Sequence, residues 1–351
     1  MVVLDQNRRY VRLVLAGMRP IDLTPLQGDS ISSDLAQRDF TVNAMAAMLP
    51  ARSPFLDPFA GRVDLRYGVL RQVSLAAFWA DPLRILRGVR LMAERGFTIE
   101  PATRRSMQEA TPLLSVVHPE RIQVELQRAL RADRWLQAAQ LMLELEAWSS
   151  LPVWPPLHPE PSKHCQQLRH VESLVLSNPL SPLCEQDSLG AAERPFAVLA
   201  SVLITSNLPA EEAESVGRQL RLSRNEISLL SSICRAFAST CSSSERPDAF
   251  DLMDRHGCAA IWASAIAGDQ HLLADLLALQ LPTEDVLPNG AELAAALARN
   301  PGPWLGVLLR ELRRAAALGT LANKADALRL AQVLTEQQAE MDDSVGGDQE
   351  P

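Results

Sequence analysis

Long apolar runs are absent from this 351-residue sequence: no stretch approaches eighteen uninterrupted apolar residues, which argues against a membrane-spanning helix. The opening stretch MVVLDQNRRYVRLVL sets Arg8, Arg9 and Arg12 ahead of any apolar run and carries no small-residue cleavage site, so no export signal is read there. Cysteine is scarce. The five (165, 184, 234, 241 and 258) are widely spread and form no CxxC pair, which excludes a disulfide framework and a zinc ribbon and fits a reducing compartment. GxSxG, Walker-loop and HExxH patterns are missing, and no clear internal repeat emerges. What is present is ordinary globular material, 47% hydrophobic and 22% charged, which excludes a disordered chain and leaves room for two or three domains. The expectation is a soluble, cytoplasmic protein with no membrane partner.

Lysine is nearly missing, with only Lys163 and Lys324, so positive charge is carried by arginine, the side chain suited to bidentate phosphate and base-edge contacts. The net charge of -8 hides an asymmetry: residues 1 to 134 carry 19 arginines against 14 acids, and the rest carries 15 basic against 28 acidic side chains. A second basic stretch, 299 to 329, holds Arg299, Arg310, Arg313, Arg314, Lys324 and Arg329 against Glu311 and Asp326. An arginine-rich genome gives the same bias, but the two stretches are candidate contacts for one extended polyanion.

The first 24 residues alternate like strands, with Tyr10, Arg12 and Val14 on one face and Val11, Leu13 and Leu15 on the other, followed by a turn at Gly17 to Pro20 and a short run Ile21 to Thr24. Val2 to Leu4 is a further apolar strand at the extreme start. From Asp34 the pattern turns helical, placing Phe40, Asn43, Ala44 and Ala47 at helix spacing, and a Pro/Gly-bearing loop covers 50 to 68. Helices are predicted over 74–95, 101–110, 119–146, 162–177, 193–206, 209–220, 223–240, 247–265, 269–279, 290–298, 303–318 and 323–340. The proline cluster from Pro152 to Pro161 reads as the main linker, Leu281 to Gly290 as a second, and the acidic end from Asp342 as disordered.

Three segments carry candidate chemistry. Gln37-Arg-Asp-Phe-Thr-Val-Asn-Ala44 places Arg38 and Asp39 at a helix start with Asn43 one turn on, a setting that favours a triphosphate or, structurally, a cap at Asp39 beside a solvated Arg38. Asp81-Pro-Leu-Arg84-Ile-Leu-Arg87-Gly-Val-Arg90 forms a slanted polar row on one helix side, with Ile85, Val89 and Met92 opposite and Asp81 where an N-cap sits. A carboxylate acceptor beside a guanidinium donor can read a base's Watson-Crick edge, and the next two arginines can grip phosphates. Asp57-Pro-Phe-Ala-Gly61-Arg-Val-Asp64-Leu65 is a turn-bearing loop whose acids can brace an arginine or a hinge. His158, His164, Cys165 and His170 match no common metal spacing, and no metal ligand is assigned.

Taken in order, these segments resemble the bacterial class II tRNA nucleotidyltransferase and poly(A) polymerase family. Residues 37 to 44 look like its RRDFTxNA motif with Gln37 for the first arginine, residues 57 to 65 like its DPFxGxxDL hinge motif, and Ala80 to Arg84 like its EDxxR motif with Ala80 for the glutamate. Gly96 to Ile99 and Pro119-Glu-Arg-Ile-Gln-Val-Glu-Leu126 resemble the following neck segments, and Leu287 to Gly290 and Pro301 to Gly306 its tail. The resemblance implies an α+β, mostly α fold: a nucleotidyltransferase head (1–70), a neck (71–150), a helical body (151–280) and a tRNA-binding tail (281–340), with 341–351 disordered. It implies that Asp81 and Arg84 select the base of CTP or ATP, that Arg38, Arg87 and Arg90 bind its phosphates, and that Asp39 and Asn43 share that site. Arg299, Arg310, Arg313 and Arg314 become the RNA contacts, with tRNA and nucleoside triphosphates as partners.

The chain also departs from the family pattern. The GGxVRD loop and the DxD pair that holds magnesium ions are absent, so the expectation is a member lacking its first strand, metal site and following helix, through a misplaced gene start or a truncated gene. Asp22 is left as an auxiliary acid and the catalytic residues as unknown, with magnesium expected from the family but its ligands missing. The function expected is addition of C, A or both to tRNA 3′ ends, with this chain inactive as it stands. Poly(A) polymerase and a catalytically dead nucleotide- or RNA-binding remnant are the alternatives. A phosphohydrolase is not expected, since Phe196 to Asn207 carries no His-Asp step.

Overall fold

The computed structural model describes residues 2–5, 10–14, 17, 20–48, 55–153, 155–177, 192–242, 247–279 and 286–345, without the side chains of 2–5, 10, 177, 242 and 338–345. Arg8, Arg9, Cys184, residues 281–285 of the second linker and the last six residues lie outside that set. The chain forms two compact units, one of residues 1–161 and 215–223, the other of 162–214 and 224–351. The boundary at Pro161 falls at the end of the proline cluster.

The first unit opens with an antiparallel sheet of β1 (Val2–Asp5), β2 (Tyr10–Leu13) and β3 (Ile21–Leu23), in which Arg12 stands directly across from Asp22. Helix α1 (Ile31–Ala36) is capped by the Ser30 hydroxyl, and a 3-10 turn follows at Thr41–Asn43. The helix expected from Asp34 through Ala47 therefore ends at Ala36. Tertiary contacts override the local spacing there: the Thr41 amide donates to the Arg71 carbonyl at 2.9 Å, and the buried Phe40 ring packs 6.1 Å from Phe78. Helix α2 (Gly61–Tyr67) is capped by Asp57, which accepts from the Gly61 and Arg62 amides at 2.6 and 3.0 Å. Gly61 is needed because a β-carbon there would lie 2.1 Å from the Thr41 carbonyl oxygen.

Strands β4 (Val69–Leu70) and β5 (Thr98–Ile99) pair in parallel around α3 (Ala77–Ala80) and α4 (Leu83–Arg95). Asp81 and Pro82 split the segment expected as one helix over 74–95, because a residue before proline is biased to the extended backbone that Asp81 adopts. Helix α5 (Pro101–Ala110) follows, and α6 (Pro119–Arg131) and α7 (Trp135–Glu144) replace the single helix expected over 119–146. Buried Leu83, Ile85, Leu86, Val89 and Ala93 face Ile122, Leu126, Ala129 and Leu130, the amphipathic match that seats α4 on α6. Gly88 leaves room for Phe40, whose ring tip would meet a β-carbon at 3.0 Å.

The second unit holds α8 (Pro161–Ser177), which begins at the boundary, α9 (Arg194–Thr205), α11 (Arg224–Ser242), α12 (Ala249–His256), α13 (Ala259–Ala267) and α14 (Gln270–Ala278); a second division of the chain falls within α10 (Glu212–Gln219). Gly257 divides the helix expected over 247–265. Helix α13 is apolar all round and correspondingly buried, and Trp262 donates its indole N–H to Glu193 at 2.9 Å. His164 is fully buried against the Ser201 hydroxyl at 3.2 Å, and burial pushes its pKa down to about 4. Helices α15 (Gly290–Ala296), α16 (Pro303–Ala317) and α17 (Lys324–Val345) enclose a small core of Leu293, Leu308, Leu312, Ala327 and Ala331. The last helix thus runs through Val345, into the tail expected to be disordered from 341. Among the described residues no helix is long and apolar enough to cross a membrane.

Candidate functional site

The site is built where the loop after α1 meets the start of α4. Asp81 takes an extended backbone, and its Oδ1 accepts the Leu83 amide at 3.3 Å, so it caps the first turn of α4 as the sequence suggests. Its Oδ2 accepts from Arg121 Nη2 at 2.8 Å, a partner 40 residues away in the first turn of α6. Arg84 makes three hydrogen bonds, all to backbone carbonyls: Gln37 at 2.5 Å, Ala77 at 3.1 Å and Arg38 at 3.3 Å. Burial lowers the Arg84 pKa, the nearby Asp39 and Asp81 oppose that shift, and Arg87 and Arg38 add to it. It is a partly desolvated cation among neutral acceptors, beside the acidic Asp81.

The other expected residues are placed differently from the sequence pattern. Arg38 follows α1 instead of starting a helix, and its guanidinium grips Asp34 at 2.6 Å. Burial opposes ionisation of Asp34, but hydrogen bonds from Arg38 and the Gln27 amide outweigh it and hold the carboxyl below its usual range. Asp39 is buried; its Oδ1 accepts from the Phe40 amide at 2.8 Å and from Asn43 Nδ2 at 3.1 Å, while Oδ2 lies 3.1 Å from Arg87 Nε. Asp39 and Asn43 thus form a brace that aims Arg87. Arg90 corrects the expectation of a phosphate ligand: only 9% of its side chain is exposed, and its Nε lies 2.9 Å from Glu125. Burial pushes Arg90 down and Glu125 up, and their mutual attraction offsets part of both shifts. The slanted row of the sequence pattern turns inward at Arg90 because α6 covers that turn of α4.

The hinge-like segment is tied by Asp64, which accepts from Thr41 Oγ1 at 2.7 Å and from Arg71 at 3.1 Å; Arg71 also reaches Glu100 at 3.6 Å. In the second unit, Arg310, Arg313 and Arg314 lie against α12: Arg310 meets Asp251 at 2.8 Å, Arg313 meets Asp254 at 3.4 Å and Arg314 meets Asp248 at 2.5 Å. Arg299 stacks on the Trp304 ring at 5.1 Å. The tail arginines expected to meet RNA are engaged within the protein.

Asp22 gives both carboxylate oxygens to Arg12, at 2.6 and 2.9 Å, and this hydrogen bonding lowers its pKa. Among the described residues no group of three or more His, Cys, Asp or Glu side chains could hold a metal ion. The described residues thus present no such group for the magnesium ions that the resemblance implies, and no step is derived through them. Arg121, Asp34 and the carbonyls of Gln37 and Arg38 were not singled out by sequence. Asp34 stands four residues before its partner Arg38, a spacing the sequence offered, whereas the partners of Arg121 and of the two carbonyls are set by chain folding.

Comparison with known proteins places the chain among relatives. The profile of the poly A polymerase head domain matches residues 11–71, and that of the probable RNA and SrmB-binding site of polymerase A matches 96–154. A CC-adding tRNA nucleotidyltransferase of Synechocystis sp. is 30% identical over 354 residues, covering 95% of this chain and 82% of the relative. A CC-adding tRNA nucleotidyltransferase of Geobacter sulfurreducens is 45% identical over 128 residues, 36% of this chain and 30% of that protein. The fold is similar to that of a Thermotoga maritima CCA-adding enzyme solved with tRNA_CCA, with a TM-score of 0.70 at 22% identity over 94% of this chain and 80% of the other.

Proposed function

This chain belongs to the tRNA nucleotidyltransferase family, and from that premise we propose that it selects CTP, ATP or both for addition to tRNA 3′ ends. The observation that carries the reading is the Asp81–Arg84 pair at the start of α4. Cytosine and adenine each present an exocyclic amino donor beside a ring-nitrogen acceptor, so a carboxylate and a guanidinium side by side match both bases. Arg84 is half desolvated and bonded to neutral carbonyls, so a base can exchange for one of them without stranding a carboxylate. Arg38 and Arg87 supply charge for the triphosphate, with Asp39 and Asn43 holding Arg87 in place.

The division into head, neck, body and tail at 70, 150 and 280, and RNA contact by Arg299, Arg310, Arg313 and Arg314, belong to the same proposal. RNA phosphates at α16 must displace the carboxylates of Asp248, Asp251 and Asp254. Negligible turnover by this chain alone, with nucleotide binding retained, belongs to the same proposal, since phosphoryl transfer of this kind draws its rate from metal-held charge.

The test is incorporation of labelled CTP and ATP into tRNA transcripts ending before C, CC or A, using this chain beside an N-terminally extended version from the same locus. Incorporation by either form supports addition to tRNA 3′ ends, and the accepted substrates name the bases added. Activity of the 351-residue chain itself overturns the metal argument, and runs of A on unstructured RNA point instead to poly(A) polymerase. Nucleotide binding with no activity in either form points instead to a binding remnant.

A further inference from the structure

Helices α4 and α6 are joined by three ion pairs stacked one above another. Asp81 meets Arg121 at 2.8 Å, Arg90 meets Glu125 at 2.9 Å and Glu94 meets Arg128 at 2.8 Å. On α6 these partners fall at positions 121, 125 and 128, one helical face. The middle rung is closed, with side-chain exposures of 9% and 13%, whereas the top rung is open, with 51% for Arg121 and 27% for Asp81. An ion pair this exposed contributes little to stability. Its position is what distinguishes it, since it fixes the very carboxylate that stands beside Arg84.

We infer that Arg121 is a positioning residue for base selection, acting through Asp81. The inference rests on the reading that Asp81 and Arg84 meet the base. Two donors from different elements hold the carboxylate: the Leu83 amide of α4 on Oδ1 and the Arg121 guanidinium of α6 on Oδ2. Each carboxylate oxygen has room for a second donor, so an exocyclic amino group of cytosine or adenine can join without displacing either. Uracil places a carbonyl oxygen where that amino group would be, and a carboxylate held by two donors cannot turn away from it. Released from Arg121, Asp81 keeps only the 3.3 Å bond to Leu83 and gains freedom to rotate. It then binds amino-bearing bases less well, and their preference over uracil narrows.

The experiment is equilibrium titration of the full chain with CTP, ATP and UTP, for the wild type and for Arg121→Gln, Arg121→Lys, Asp81→Ala, the Asp81→Ala/Arg121→Gln double variant and Arg128→Gln, each checked for folding by its melting temperature. Arg121→Gln is expected to weaken CTP and ATP binding about fivefold while leaving UTP unchanged, the loss of one charge-assisted hydrogen bond. Arg121→Lys regains part of the preference, and Arg128→Gln, about two turns further along the same helical face, leaves it intact. The double variant should match Asp81→Ala alone, because a residue acting only through Asp81 has nothing left to act on. A CTP-over-UTP preference that survives Arg121→Gln but is lost in Asp81→Ala overturns the inference and spares the reading of the site. A preference that survives Asp81→Ala, or its absence in the wild type, overturns both.

Discussion

Two rows of arginines in this protein look alike in sequence and differ in what the fold sets against them. On α16, Arg310, Arg313 and Arg314 face Asp251, Asp254 and Asp248 on α12, and Arg314 also lies 5.8 Å from the Phe250 ring. Every cation there meets a carboxylate, with Asp251 shared by Arg310 and Arg314 and Asp254 by Arg310 and Arg313. At the start of α4, Arg84 has backbone carbonyls as its hydrogen-bond partners, and Arg38 and Arg87 share their space with Asp34 and Asp39, which are themselves tied to the Gln27 amide and to Asn43. The first row joins two helices, and the second holds charge in reserve beside an acceptor. An arginine count says how much positive charge a segment has; the position of the acids decides whether a ligand can use it.

The strongest test of the contrast is pH, because the second unit also closes a histidine away from water. His164 is depressed to about 4 in the fold against an ordinary value near 6.5, so as pH falls through that window the unfolded chain takes up a proton that the folded one refuses. Stability on this account is full above about pH 6.5 and falls by up to about 3 kcal/mol by pH 4. Melting curves across that range should show the slope in the wild type and lose most of it in His164→Gln. A slope that survives the substitution breaks the assignment.

Next in size is the difference between the rows themselves. Arg84→Ala should weaken CTP and ATP binding at least tenfold, about 1.4 kcal/mol or more, whereas Arg313→Ala should change it less than about twofold. Isothermal titration of both variants measures it, and equal effects erase the distinction. A smaller effect separates structural from ligand-facing charge: neutralising Asp248, Asp251 and Asp254 together to asparagine should lower the melting stability of the second unit by about 1 kcal/mol, since exposed pairs contribute a few tenths each. The same triple variant should gain affinity for a tRNA transcript at low salt if the freed arginines reach phosphates, and a filter-binding salt series reports it. Smallest of all is Asp22→Ala, expected to leave both the melting temperature and magnesium binding unchanged, because its carboxylate serves only the exposed cross-strand pair with Arg12.

Much of the architecture was legible along the chain. Helix α4 was readable from the spacing of Ile85 and Val89 and from the proline after Asp81, and the proline cluster ending at Pro161 coincides with the division between the two units. Other segments were misread for identifiable reasons. The stretch from Phe40 to Ala47 has helix spacing but is drawn into a bridge with Gln72 and a 3-10 turn, because Phe40 finds a pocket beside Gly88. Glycine at 257 and the irregular residues 132 to 134 cut two long helices in half. In the site, Arg84 bonds to the Arg38 carbonyl and Arg87 lies against Asp39, although Arg38 follows a helix instead of starting one. Arg90 faces inward, and Arg121 went unnoticed as a partner of Asp81.

The sequence by itself determined what depends on neighbours a few residues apart: the helical periods, the breaks at proline and glycine, the strand alternation before Thr24 and the preference for arginine over lysine. Those features follow from backbone sterics and from the repeat of apolar side chains, which act locally. Only the tertiary structure decided which carboxylate each guanidinium meets. Asp81 and Arg121 are separated by 40 residues in sequence and Arg310 and Asp251 by 59, and such pairs are brought together by the burial of the helices that carry them. Electrostatic partners at that range are a result of packing, and so is the difference between an arginine that fastens the fold and one that remains for a ligand.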